Sequence, residues 1–260
     1  MKTDFINTLS PIIKKAGEIM LSAEGVKDFK EKHGEVNYVT IYDEKVQAFL
    51  IENIKKIYPN ATFIAEEKDN DNNALNSELC FIIDPIDGTT NFIRNYKTSS
   101  ISVGIWSFGE PIYGAVLNPY LNELYTAEKG KGAFLNDQKI TVSDKAPNQA
   151  VFAFGSSPYY KQELGEKTFD VAKKLFFACA DIRRTGSAAL DFCHLASGRI
   201  DLFFECRLSP WDFAAGSIIV KEAGGIISDL DGNELDFTRP CSILCGNPKT
   251  YQKALEIIKN

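Results

Sequence analysis

The apolar run Leu79-Cys80-Phe81-Ile82-Ile83 leads without a break into Asp84-Pro85-Ile86-Asp87-Gly88-Thr89-Thr90-Asn91-Phe92. Apolar residues of this length, preceded by the polar stretch Lys68 to Ser77, predict a buried strand that follows a surface loop. Pro85 disfavours helix at Asp84 and turns the chain, so that the Asp84 and Asp87 side chains can point into one space with the Ile86 carbonyl between them. Gly88 permits close backbone approach, and the amides of Gly88 and Thr89 would be offered to a phosphate if they open a helix. Taken singly, Asp-Pro and Asp-Gly are ordinary turn chemistry. The whole string is harder to explain as a turn, because so much negative charge at the end of a buried strand repels itself unless cations are present.

Other acids fall into place around this strand. A second strand, Thr62 to Ala65, ends in Glu66-Glu67, so neighbouring strands can deliver carboxylates to one sheet edge. Two amphipathic helices precede them. The first carries Phe5, Ile6, Leu9, Ile12, Ile13, Ala16, Ile19 and Met20 at helical spacing. The second opens on Thr40 with Asp43 three residues later, a capping-box pattern, and continues to Pro59. Strand-like runs at Ile101 to Ile105, Ile112 to Leu117, Leu124 to Ala127 and Ala133 to Leu135 predict an antiparallel meander. After about residue 148, strands alternate with helices as in an α/β lobe. The expected organisation is one unit, 1–260, built of a lobe to about 148 and a lobe over 149–260, with a cleft between them.

Composition narrows the chemistry. A formal net charge of −6 argues against general nucleic-acid or anionic-membrane binding, and a small ligand is the expected partner. No apolar run reaches the length of a membrane span, which predicts a cytoplasmic protein. The six cysteines are irregularly spaced, and with only His33 and His194 a disulfide framework or a zinc knuckle is not expected. The Gly130-Lys131-Gly132 run lacks the spacing and the following Ser or Thr of a P-loop and predicts a hairpin turn.

The string from Asp84, with Glu66-Glu67 and the later Trp211-Asp212-Phe213-Ala214-Ala215-Gly216, resembles the inositol monophosphatase family. The similarity extends through Lys32, Val39-Thr40, Asp43, Lys129 to Phe134, Gly186-Ser187-Ala188-Ala189 and Glu222-Ala223-Gly224-Gly225. It implies an α+β layered αβαβα sandwich, with a mainly antiparallel N-terminal sheet lobe, and Mg²⁺-dependent hydrolysis of a phosphomonoester, inositol 1-phosphate first. By the resemblance, one metal is held by Glu66, Asp84 and the Ile86 carbonyl, a second by Asp84, Asp87 and Asp212, and a weaker third by Glu66 and waters. Asp43 and Thr89 are implied to orient and deprotonate the attacking water. Gly88, Thr89, Ser156, Gly186, Ser187, Ala188 and Glu205 are implied to contact phosphate and polyol. The partners implied are a small phosphorylated polyol or sugar, with no nucleic acid required and no membrane, in a homodimer with possible Li⁺ inhibition. Asn37-Tyr38 and Ser187 depart from common family residues and bear on substrate detail.

Each acid also has a structural reading: Asp43 and Asp212 suit helix first turns, and Glu205 suits a solvated strand end beside Arg207. Three other functions compete. A haloacid-dehalogenase-like phosphatase needs its two acids two residues apart, whereas Asp84 and Asp87 are three apart. Fructose-1,6-bisphosphatase or dual activity stays open through Arg207, and a nucleotide 3′-phosphatase is disfavoured by Thr89-Thr90-Asn91-Phe92. An RNA-related binding role, which the resemblance also admits, is weakened by the intact metal-ligand positions.

Overall fold

The computed structural model describes residues 4–23, 29–31, 38–68 and 70–259. Lys32, His33 and Asn37 lie outside the described residues. Helix α1 (Phe5–Leu21) starts at Asp4, whose carboxylate accepts the Asn7 amide at 3.1 Å, and it buries Phe5, Leu9, Ile13, Ala16 and Met20. A short ribbon follows, β1 (Phe29–Glu31) antiparallel to β2 (Tyr38–Thr40). Helix α2 (Ile41–Ile57) is closed at its start by both arms of the expected capping box between Thr40 and Asp43.

Seven strands then form one sheet in chain order: β3 (Thr62–Ala65), β4 (Cys80–Asp87), β5 (Ser100–Ser107), β6 (Glu110–Asn118), β7 (Glu123–Glu128), β8 (Gly132–Leu135) and β9 (Gln138–Ile140). Only β3 and β4 pair in parallel; every other neighbour in this sheet is antiparallel, as the meander pattern predicts. The five-residue α3 (Thr89–Ile93) follows β4.

The second half builds a five-stranded sheet ordered β11-β10-β12-β14-β13, from β10 (Val151–Phe154), β11 (Asp181–Arg183), β12 (Leu202–Leu208), β13 (Ile226–Ser228) and β14 (Cys241–Gly246). β10 runs parallel to β11 and β12, through crossovers that carry α4 (Lys161–Ala178) and α5 (Ala188–Ala196). β14 is antiparallel to both of its neighbours, so this lobe is mixed rather than purely α/β. The loop between β13 and β14 holds no helix, and a parallel return would need a crossover.

Burial assigns the layers. α1 and α2 share an apolar cluster with the outer face of the large sheet, where Val46 and Leu50 meet Phe81 and Ile83. α5 and α6 (Pro210–Glu222) lie between the two sheets, where Leu190, Phe192, Phe213 and Ile219 join Val116 and Tyr125 on one side and Phe203 and Cys245 on the other. α4 and α7 (Pro248–Lys259) cover the far face of the small sheet through Leu175, Tyr251 and Ala254. The result is the expected αβαβα sandwich. Its middle layer is tight: a Cβ on Gly114 of β6 would come within 2.6 Å of the Ala215 carbonyl of α6, so the helix rests on sheet backbone at that point. No helix among the described residues is long and apolar enough to cross a membrane.

Candidate metal centre and substrate cavity

Asp84 and Asp87 share one face of β4 because the strand is irregular between them. Asp84 pairs with Ser102 and Asp87 with Ser100, so three steps on β4 oppose two on β5. In a regular strand, positions three apart point to opposite faces; the extra residue restores a common direction. The Asp84 Oδ1 accepts the Ile86 amide at 3.0 Å, which fixes the turn through Pro85. Gly88 closes the strand at φ 83, where a Cβ would come within 3.0 Å of the Gly186 carbonyl.

α6 delivers the next acid. One oxygen of Asp212 accepts the Ser209 amide at 2.7 Å, as helix capping requires, and the carboxylate still reaches the strand acids. Asp84, Asp87 and Asp212 each offer an oxygen, all within 4.8 Å of one another. Glu66, just past the end of β3, stands outside this trio and acts on it through its charge, the largest charge contribution on both Asp84 and Asp212. Burial, and then the charges of Glu66, Asp87 and Asp212, push the Asp84 carboxyl far above the usual carboxylate range. Burial raises Asp87 to about 6, against the hydrogen bonds from Ser187 and Ala189 that hold it down. Burial and the charges of Glu66 and Asp87 lift Asp212 as well. Buried carboxylates that destabilise one another in this way are a donor set suited to a hard divalent cation, so the residues fit a metal of that class.

Asp43 divides its oxygens in the same manner as Asp212. Oδ2 accepts the Thr40 amide at 2.8 Å and the Thr40 hydroxyl, and Oδ1 lies 3.4 Å from the Thr89 hydroxyl. The capping reading of this residue holds, and its second oxygen stays beside Thr89. Thr89 also reaches the Ile86 carbonyl at 3.1 Å.

A cavity of about 550 Å³ opens over this floor. Glu66, Asp87, Gly88, Thr89, Gly186, Ser187, Ala188, Glu205 and Asp212 line it, while Asp43, Asp84, Ile86 and Ser156 do not. Asp43 and Asp84 are buried beneath the lining. Ser187 caps α5 and bonds Asp87 Oδ2, which also accepts the Ala189 amide at 3.0 Å. Asn91 staples this arrangement together, donating to the Thr98 and Thr185 carbonyls at 2.7 and 2.9 Å.

Of the two serines, Ser157 lines the cavity and Ser156 does not. Ser156 accepts from Arg184 at 2.8 Å, and it is Ser157 whose amide and hydroxyl donate to Glu205 Oε1 at 3.0 and 2.9 Å. The turn-forming Ser157-Pro158 pair was the available signal. Burial pushes Glu205 up to about 7 against these bonds, and a Cβ at Gly155 would collide with its carboxylate. Asp191 was missed altogether: it lines the cavity, is 1 % exposed, and accepts the Thr185 hydroxyl at 2.8 Å while its Oδ1 has no partner.

The inositol monophosphatase family model matches residues 1–260. The chain belongs to the inositol monophosphatase family. Among its relatives is the Nus factor SuhB of Escherichia coli (strain K12), 36% identical over 244 residues that cover 93% of this chain and 91% of that protein. The extragenic suppressor protein suhB of Bartonella henselae matches with a TM-score of 0.91 at 31% identity, covering 99% of each chain. An IMPase of Thermotoga maritima matches with a TM-score of 0.87 at 32% identity, covering 99% of this chain and 97% of that one. These names correct one expectation. A partner list confined to a small phosphorylated ligand, with no nucleic acid required, does not stand when a relative so similar along its length is named a Nus factor. The physical reason is that a net charge averages the whole surface, whereas Arg94, Arg184 and Arg207 gather around one opening.

Proposed function

We propose that the chain is a Mg²⁺-dependent phosphomonoesterase for a small phosphorylated polyol or sugar, with inositol 1-phosphate as the first candidate substrate. The observation that carries this reading is the meeting of Asp84, Asp87 and Asp212 within 4.8 Å, from a strand and a helix far apart in sequence. Family membership and the likeness to the Thermotoga maritima IMPase support it.

Glu66, Asp84, Asp87, Asp212 and the Ile86 carbonyl are the groups that would hold the metal. Bound there, Mg²⁺ would neutralise phosphoryl charge and make a water more acidic. The chain's own groups account for the rest. Thr89, between the attacking water and Asp43, passes the proton inward, and Asp43 Oδ1 receives it while Oδ2 stays in the helix cap. Gly88, Gly186, Ser187 and Ala188 surround the phosphate. Glu205, fixed by Ser157 on one oxygen, uses the other to accept a substrate hydroxyl.

The test is a panel of inositol 1-phosphate, fructose 1,6-bisphosphate and adenosine 3′,5′-bisphosphate, assayed for phosphate release with and without Mg²⁺. Inositol 1-phosphate is expected to turn over, and Asp84→Asn or Asp212→Asn to abolish release while circular dichroism shows an intact fold. Exclusive turnover of the adenosine bisphosphate, or retained activity in either variant, would refute this assignment. The Nus factor name of the Escherichia coli relative favours a second, additional role in an RNA-related assembly. Pull-down of the inactive Asp84→Asn chain with that assembly would separate it from catalysis.

A further inference from the structure

Glu66 is the acid of the proposed metal site that follows the end of an edge strand. β3 lies at the margin of the large sheet, and its pairing with β4 ends where Ala65 stands opposite Ile83. The Glu66 amide makes one more bond inward, to the Ile83 carbonyl at 3.2 Å. Backbone groups alternate in direction along a strand, so those of Ala65 and Glu67 face away from β4, where no strand among the described residues receives them.

Two side-chain carboxamides take the place of that strand. Asn70 Oδ1 accepts the Ala65 amide at 2.9 Å, while its Nδ2 donates to the Ala65 carbonyl at 2.8 Å. Gln47 treats Glu67 in the same way: Oε1 accepts the amide and Nε2 donates to the carbonyl, both at 2.9 Å. A carboxamide offers an acceptor and a donor side by side, as a neighbouring strand does. Each residue flanking Glu66 is therefore held at two points. Gln47 reaches it from α2, where it is buried, and Asn70 from the loop between β3 and β4, where it is half-buried.

Either contact alone would be an ordinary loop tether. Their position beside the acids gives them a second consequence. Gln47 stands one helical turn beyond Asp43, so the face of α2 that reaches Thr89 also reaches the Glu66 segment. Glu66 lines the cavity, its side chain is hydrogen-bonded with Asp84, and its charge weighs on Asp84 and Asp212. Like charges push such an acid away, and a segment past the end of its strand has little ladder to resist them.

We infer that Gln47 and Asn70 are positioning residues: they hold the Glu66 backbone against this repulsion and so set how tightly the site takes a divalent cation. This rests on the phosphomonoesterase reading and extends it to two residues that the metal and the substrate need not touch.

The test is thermal unfolding of the full chain over a series of Mg²⁺ concentrations, which gives an apparent Kd from the rise in Tm. Gln47→Met and Asn70→Leu keep most of the side-chain volume and lose both bonds. Each is expected to weaken Mg²⁺ binding by about tenfold or more. In a Glu66→Gln background the same substitutions should change it by less than about twofold, because the ligand they position is gone. Hydrogen exchange in EDTA supplies a readout that needs no metal: amides over 62–67 should exchange faster in both variants, while those of α6 stay as in the wild type. Variants that melt earlier yet bind Mg²⁺ within about twofold of the wild type would reduce the carboxamides to loop tethers and overturn the inference. An undiminished loss beside Glu66→Gln would overturn it too. A wild-type Tm that ignores Mg²⁺ defeats the metalloenzyme reading instead. Faster exchange at Ala65 and Glu67 then still upholds the clamp on Glu66, and unchanged exchange overturns it.

Discussion

Asp43 and Asp212 show how one carboxylate can serve structure and chemistry together. Each gives one oxygen to a helix N-terminus and turns the other toward the cluster or toward Thr89. The capping box of Asp43 and the helix-start position of Asp212 were visible in the sequence, and so was the acid string from Asp84, because all are local. Asp191 was not visible: an acid in the first turn of a helix is ordinary, and only the fold reveals that it is buried with a free oxygen. Its bond to Thr185 steadies Ser187, whose amide lies 3.2 Å from the same hydroxyl. Asp191→Ala should therefore cost about 1–3 kcal/mol in urea unfolding and raise KM for whichever phosphomonoester is turned over. Asp191→Asn keeps an acceptor for Thr185 and should cost less than about 1 kcal/mol. Equal losses in the two variants would remove the hydrogen bond from the explanation.

Elements with a buried face were legible and exposed ones were not. β3 matches the expected Thr62 to Ala65, since its consecutive apolar residues mark it directly. β1, β2 and β9 span three residues each, with mostly exposed or half-buried side chains and no period to read. The bulge in β4 was foreshadowed by Pro85, but its consequence needs the register against β5. The Gly130-Lys131-Gly132 run is the turn between β7 and β8, as expected, and what holds it comes from far along the chain. Glu222, at the end of α6, accepts the Gly130 and Gly132 amides at 2.8 Å each. This clamp ties the sheet to the middle helical layer. Glu222→Ala is expected to lower stability by about 1–3 kcal/mol in a denaturant titration. Lys131→Ala, which removes an exposed ion pair with Glu128, should change it by less than about 1 kcal/mol. A larger effect from Lys131 than from Glu222 would show that the loop works through its lysine.

At the scale of the molecule, the cluster couples the stability of the fold to pH and to cations. The clustered acids come from the large sheet and from α6 in the layer behind it, so the packing that makes the sandwich also forces the charges together. Glu205 is raised to about 7, and Asp84, Asp191 and Asp212 lie well above the ordinary range, chiefly through burial. A carboxyl raised in the folded state keeps its proton there after the unfolded chain has lost it. Its stabilising contribution is full below the unfolded value and disappears as pH rises through the folded one. His194 acts in the opposite direction: burial lowers it to about 4 from 6.5, so its contribution grows with pH through the unfolded value and levels off about one unit above it. In the window from pH 6.5 to 8 the carboxylates therefore dominate, since His194 offsets only about 0.4 kcal/mol. In EDTA, thermal unfolding should move to lower temperature across that window, with Glu205 alone accounting for about 1 kcal/mol. Millimolar Mg²⁺ should flatten the slope and raise Tm more at pH 8 than at pH 6.5, because a cation binds the ionised acids. Asp84→Asn should weaken both the slope and the Mg²⁺ response. A pH profile identical with and without Mg²⁺ would mean that the acids meet for a reason other than metal.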